Sequence, residues 1–238
     1  GTPTAFQIQR YSGTWQTPSV SSATATSATG TGYSAFGSFA IGAVATAATS
    51  GDGTLTVAPT TAVAGSAGNS LLFTFAAPIT KDFASSSATT IGVPADWTAP
   101  QSTDSTAAGY VQATSGTCIA GSPTISGSGP WTISVPHACA HGTSFTVTYG
   151  GGTSVSKVTA PQAAGSRTFT AQSRAGSGGT LTTLSASPSV TIGPSTASKL
   201  QVLLPGETAD PGGVTGRTGT PTAITAGDNH TCARLDNG

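Results

Sequence analysis

The chain has 238 residues, eight basic and eight acidic, so its formal net charge is zero and only 7% of it is charged, against roughly 25% in an ordinary soluble protein. That balance excludes the basic face a nucleic-acid partner needs and the cationic stripe an anionic membrane surface attracts. The most apolar run, 39–48, is broken by Gly42 and Thr46 and falls short of the roughly 18 apolar residues of a membrane-spanning helix, so neither nucleic acid nor membrane insertion is expected.

Roughly a third of the residues are Ser or Thr, with 32 Gly and 15 Pro, a make-up shared with low-complexity, disordered chains. Here, however, Val, Ile, Thr and aromatic residues recur in short bursts between turn-forming clusters, as half-buried strands do. Strands are expected at 4–9, 14–20 and 38–42, too little by themselves to bury a core. The Ala-rich 40–48 is the best helix candidate, but Gly42 and Thr46 weaken it. It reads as a last strand running into a linker, with a turn at 50–53. From there the strand candidates follow at 54–58, 71–75, 110–114, 131–135, 145–149, 167–171 and 189–192. Four of them, at 71–75, 131–135, 145–149 and 167–171, alternate apolar and polar residues with the period of two that one buried face requires. Clusters such as Gly127-Ser128-Gly129-Pro130 and Gly150-Gly151-Gly152 separate them. The fold class expected is all-β, tandem immunoglobulin-like β-sandwich modules: late strands of one module over 1–48, a complete module over 49–196, and the opening strand of a further module over 197–238.

The middle of the chain resembles a family of immunoglobulin-like repeats in large bacterial surface proteins of the invasin and adhesin type. The resemblance rests on Gly53-Thr54-Leu55-Thr56-Val57, Leu72-Phe73-Thr74-Phe75, Val93-Pro94-Ala95-Asp96-Trp97-Thr98-Ala99-Pro100, Gly109-Tyr110-Val111, Phe145-Thr146-Val147-Thr148-Tyr149-Gly150 and Thr168-Phe169-Thr170-Ala171-Gln172. The run from Lys199 to Thr208 looks like the opening strand that follows such repeats. Ile224-Thr225-Ala226-Gly227-Asp228-Asn229-His230-Thr231-Cys232-Ala233 resembles the start of a regulator-of-chromosome-condensation repeat, a propeller blade unit. The resemblance implies a cell-surface location and a scaffold or adhesion role, and it carries over no catalytic residues.

Cys118 and Cys139 flank the Gly-rich turn between the strands around Val111 and Ile133. In an oxidising compartment they are expected to form a disulfide, the alternative being two buried thiols. Cys232 is left over; in the propeller-like resemblance its partner lies further along the polypeptide. An extended His137-Ala138-Cys139-Ala140-His141 would place His137, Cys139 and His141 on one face as a soft three-ligand set for zinc or copper. Pro136 and Gly142 favour an irregular loop there, a fourth ligand is missing, and a metal would compete with the disulfide, so no metal and no cofactor is expected.

Catalysis has little to work with. Glu207 is the one glutamate, and Asp52, Asp82, Asp96, Asp104, Asp210, Asp228 and Asp236 are scattered over turns and linkers, so no glycosidase pair can be argued. No Gly-x-Ser-x-Gly elbow, Walker loop or Gly-x-Gly-x-x-Gly string occurs. Asp52, Asp228, Asn229 and Asp236 lack the spacing of a calcium loop. Trp15, Trp97 and Trp131 have the make-up of a sugar-stacking platform, but Trp97 and Trp131 read as packing residues.

The expected function is that of a non-enzymatic structural or adhesive module of a secreted, extracellular or cell-surface protein. Its expected partners are other copies of itself or neighbouring modules, with surface glycans the further candidate; the alternative is a carbohydrate-binding accessory module of a secreted enzyme. If the chain is a whole subunit, Lys199, Leu200, Gln201, Val202, Leu203 and Leu204 are the expected strand to complete a sheet in the next copy, building a head-to-tail filament. If it is an excerpt, the missing strands belong to the same polypeptide.

Overall fold

The computed structural model describes residues 6–11, 14–16, 20–23, 28–31, 38–43, 45–155, 157–195, 202–210 and 216–220. Strands are the only regular secondary structure among them, as a chain rich in Thr, Val and Ser and punctuated by Gly dictates. In chain order these are β1 (Phe6–Tyr11), β2 (Trp15–Gln16), β3 (Val20–Ala23), β4 (Ala28–Gly30), β5 (Ser38–Ala43), β6 (Thr46–Ala47), β7 (Thr54–Ala58), β8 (Thr61–Val63), β9 (Leu71–Ala76), β10 (Lys81–Val93), β11 (Val111–Ser115), β12 (Ile119–Ala120), β13 (Thr124–Gly127), β14 (Trp131–Cys139), β15 (Ser144–Tyr149), β16 (Gly165–Thr168), β17 (Thr170–Arg174), β18 (Thr182–Thr183), β19 (Ser189–Gly193), β20 (Glu207–Ala209) and β21 (Arg217–Gly219).

One hydrophobic core runs from Ala48 to Ile192. One wall is the antiparallel sheet β11-β15-β9-β7. Its alternating strands place Phe145, Phe75 and Leu55 in one cross-strand row and Val147, Phe73 and Val57 in the next, all facing inward. Such rows are the unit of sheet stabilisation. The opposite wall is built on β10, with β14 on one side and β17 on the other; β12 and β13 pair with β14, β18 with β17, and β6 with the start of β10. Ile91, Val93, Ile133, Val135 and Ala171 carry its inner face. A smaller sheet, β16-β19-β8, buries Val190 and Ile192.

The stretch 167–171, expected as one strand, is two. Phe169 lies between β16 and β17, fully buried, with its N–H donating to the Pro188 carbonyl, and the chain changes sheets there. Burying the ring matters more than continuing the strand, since a side chain of this size dominates local core energetics.

Outside the core, β2-β1-β5 form an antiparallel sheet with Ile8 opposite Ile41, β3 and β4 form a hairpin, and β20 and β21 another, closed by an Arg217–Glu207 ion pair of 2.7 Å. Of the segment expected to exchange strands, Lys199, Leu200 and Gln201 lie outside the described residues. Val202, Leu203 and Leu204 form no strand; Leu204 donates its N–H to the Glu207 carboxylate at 3.0 Å and accepts the Glu207 N–H at 2.9 Å. The string 224–233 and the residues Asp228, Asn229, His230, Cys232 and Asp236 also lie outside the described residues.

Candidate functional site

The alternation of β14 continues beyond Val135, so that Ile133, Val135, His137 and Cys139 all face the core while the Pro136 ring faces outward. Pairing of Ile119 with Ala138 and Ala120 with His137 brings Cys118 alongside Cys139, with their Cα atoms 4.5 Å apart and the two sulfurs joined as a disulfide. The bridge sits where the chain, having left β11 in one wall, crosses to β12 in the other. Cys118 is further fixed by its N–H, which donates to the Ser144 carbonyl at 3.1 Å.

His137 stands beside the bridge. Its Nδ1 lies 3.3 Å from Cys139 Sγ and its Nε2 2.9 Å from Thr89 Oγ1. Its ring is boxed by Phe75 at 4.9 Å and by Phe83 and Phe145 at 5.2 Å each, centroid to centroid. Only 4% of the residue is exposed, and burial pushes its pKa down to about 4, because an imidazolium in an aromatic box has lost its hydration. His137 is therefore neutral at physiological pH.

Cys118, His137 and Cys139 bring their ligating atoms within 4.8 Å of one another. The trio weighed from sequence, His137, Cys139 and His141, does not assemble. β14 ends at Cys139, the following turn carries His141 outward, and its Nδ1 meets Asp82 at 2.8 Å on the surface. Thr89 and Phe83, both on β10, were not singled out from the sequence, since β10 shows no apolar alternation over 84–90. The period-two pattern of β14, read three residues past Pro136, is the signal that puts His137 and Cys139 on one face.

Other sequence candidates have structural employment. Trp97 is 3% exposed and packs on Phe169 at 5.5 Å, so it offers no face for a sugar; Trp131 is half-buried against the core, and Trp15 lies in β2. Asp52 holds both its carboxylate oxygens within 2.9 Å of Lys81 Nζ and accepts from Thr49. Burial alone raises its pKa, but the Lys81 and Thr49 donors outweigh that and hold it below the ordinary value. Asp96 pairs with Arg167 at 2.5 Å, and Asp104 closes a turn onto Thr106. A groove of about 530 Å³ runs along β8, lined by Thr61, Val63, Ser66, Asn69 and Thr191 among others; none of its lining residues is an acid or a base.

The described residues thus define an all-β protein whose two main sheets enclose one core, with a buried cystine and a neutral histidine at the crossing between them. No known family model, curated protein or solved structure matches the chain.

Proposed function

We propose that this chain is a structural or adhesive part of a secreted surface protein, built of tandem immunoglobulin-like modules of the bacterial adhesin kind, and that the module over 49–196 resists tension along the polypeptide. The observation that carries this reading is the parallel pairing of β8 with β19, near the two ends of the core. Thr191 donates its N–H to the Thr60 carbonyl at 2.8 Å and Ala64 its N–H to the Gly193 carbonyl at 2.9 Å, so the bonded stretch runs from Thr60 to Gly193. Tension draws β19 by its C-terminal end and restrains β8 from its N-terminal side. Because the strands run the same way, they are dragged in opposite directions along a common axis, and their hydrogen bonds share the load in shear rather than opening one at a time. The disulfide, a surface low in charge and rich in hydroxyls, and the engagement of Asp52, Asp82, Asp96 and Asp104 with Lys81, His141, Arg167 and local turns support an extracellular, non-catalytic role. The filament reading stands with this proposal, since strand exchange between copies would transmit the same load.

The test is single-molecule stretching of the full chain held by its ends. Forced unfolding reports the unfolding barrier, so Ala64→Pro, which deletes one donor of the β8–β19 pair, lowers the unfolding force of the central module. A surface Ser85→Ala control, on β10, leaves it unchanged. An unfolding force unaffected by Ala64→Pro, in a chain that still folds, overturns the reading.

A further inference from the structure

We infer that Cys118, Cys139 and His137 form a three-coordinate site for Cu(I) when the cystine is reduced, so that the ion replaces the covalent link with a coordinate one at the same place in the fold. This goes beyond the mechanical reading and does not rest on it.

The site is built from two stretches of chain that strand pairing holds together. Cys139 and His137 are two residues apart on the inner face of β14, and Cys118 is delivered by the β12–β14 pairing. All three side chains are buried, with their ligating atoms within 4.8 Å. Thr89 Oγ1 sits at the far nitrogen of the imidazole, 2.9 Å from Nε2. With Nε2–H donating to that hydroxyl, Nδ1 presents its lone pair to the sulfurs, which is how outer partners orient a metal-binding histidine.

The donor set selects the ion. Two thiolates and one imidazole are soft ligands, suited to Cu(I) and Zn(II). A closed zinc site is almost always tetrahedral and wants a fourth ligand, whereas the ring carbons of Phe75, Phe83 and Phe145 that surround His137 offer none. Three-coordinate Cu(I) needs none. Two thiolates, a neutral imidazole and a monovalent ion leave one net negative charge, which limits the affinity; the Zn(II) complex would be neutral, so the two ions must be compared directly.

The redox step balances with an external dithiol or phosphine. The reductant supplies two electrons and the S–S bond breaks. The two sulfurs take up two protons, and the dithiol becomes a disulfide, or the phosphine takes an oxygen from water and becomes its oxide. Cu(I) then displaces both thiol protons as it binds.

The experiment takes the full chain, reduced with a phosphine and freed of it without oxygen, and titrates it with Cu(I) against the chromogenic chelator bicinchoninate. One equivalent is expected to bind the reduced chain and none at this site in the oxidised chain, with ultraviolet thiolate-to-copper charge transfer and an X-ray absorption spectrum of two sulfurs and one nitrogen. Cys118→Ser lowers the affinity at least a hundredfold. The double variant His137→Phe/Thr89→Val, which keeps the box filled and leaves no hydroxyl unpartnered, lowers it at least tenfold and removes the nitrogen from the spectrum. Fluorescence of the buried Trp97 reports whether the reduced chain keeps its fold. Failure to bind, binding indifferent to these substitutions, preference for Zn(II) over Cu(I), or loss of the fold on reduction would each overturn the inference.

Discussion

The Nδ1 atom of His137 lies 3.3 Å from the sulfur of Cys139, two residues further along the same inner face of β14. The imidazole is enclosed between that sulfur, the Thr89 hydroxyl and three phenylalanine rings. A charged ring there would be stripped of water with no anion to replace it.

The pH dependence of stability follows from that enclosure. The folded pKa of His137 is pushed from 6.5 down to about 4, so between those values the unfolded chain binds the proton and the folded one does not. The contribution is fully present above pH 6.5 and is lost as the pH falls toward 4, at about 1.4 kcal/mol per pH unit. Urea unfolding at pH 7, 5.5 and 4.5 measures it. In His137→Phe/Thr89→Val this part of the slope disappears, while replacing both hydrogen-bond partners with apolar groups of similar shape leaves stability at pH 7 little changed. Equal slopes in the two proteins would show that His137 is not the group titrating.

Removing the bridge tests its contribution. The cystine closes a sequence separation of 21 residues, for which the chain-entropy model gives about 3 kcal/mol of stabilisation. Cys118→Ser/Cys139→Ser is expected to lose about that much in denaturant unfolding. Mass spectrometry of the unreduced wild-type chain is expected to find the two peptides joined. A double variant within 1 kcal/mol of wild type would mean the bridge is incidental to stability.

How much of this was legible in the sequence depended on whether burial leaves a periodic trace. Strands β7 and β15 alternate Leu, Phe, Val or Tyr with Thr, β9 does so apart from its exposed Leu72, and their positions follow from the pattern. The middle of the other wall does not alternate: β10 reads Ala-Ser-Ser-Ser-Ala-Thr-Thr over 84–90, yet Ser87, Thr89 and Thr90 are buried. They are tolerated because they find partners. The Ser87 hydroxyl donates to the Ala84 carbonyl at 2.7 Å and accepts from Gly176, and Thr89 faces His137. Hydrogen bonds satisfied by residues 48 and 89 positions away leave no local signature. The disulfide was readable from cysteine arithmetic and the alternation of β14 puts His137 on the same face as Cys139, whereas the closing of Thr89, Phe75, Phe83 and Phe145 around the ring depends on pairings that no spacing rule supplies.

Gly150 ends β15 at a position only glycine fills well. Its φ is +86°, and an added Cβ would come 2.5 Å from the Asn69 carbonyl oxygen and 2.8 Å from a methyl of Val158. Both obstacles belong to the bridge in which Asn69 and Val158 exchange backbone hydrogen bonds at 3.0 and 3.1 Å, so the clash cannot be relieved by turning a flexible side chain. Gly150→Ala is expected to cost about 2 kcal/mol or more from the left-handed backbone and the clash together. The neighbouring Gly151, whose added Cβ would meet only ordinary contacts at 3.6 Å or beyond, is the control and is expected to change little. Thermal unfolding of the two variants side by side decides the point.

The cystine also sets how far the central module extends under the proposed load. When the central module is unfolded by force, the chain between Cys118 and Cys139 cannot extend, because the bridge holds their Cα atoms 4.5 Å apart. Reduction frees those 21 residue steps, each able to span about 3.4 Å, so the length released on unfolding grows by about 70 Å. The force needed to start unfolding responds differently. The β8–β19 pair proposed to carry the load holds neither cysteine, and the bridge joins the β11–β12 crossing to the end of β14. Reduction is therefore expected to lengthen the extension per event while lowering the peak force far less than Ala64→Pro does. Stretching the same molecules before and after adding a reductant measures both quantities at once. If the peak force collapses on reduction, the mechanical barrier lies at the cystine and not at the paired terminal strands; if the extension stays the same, the bridge is not formed in the molecules being pulled.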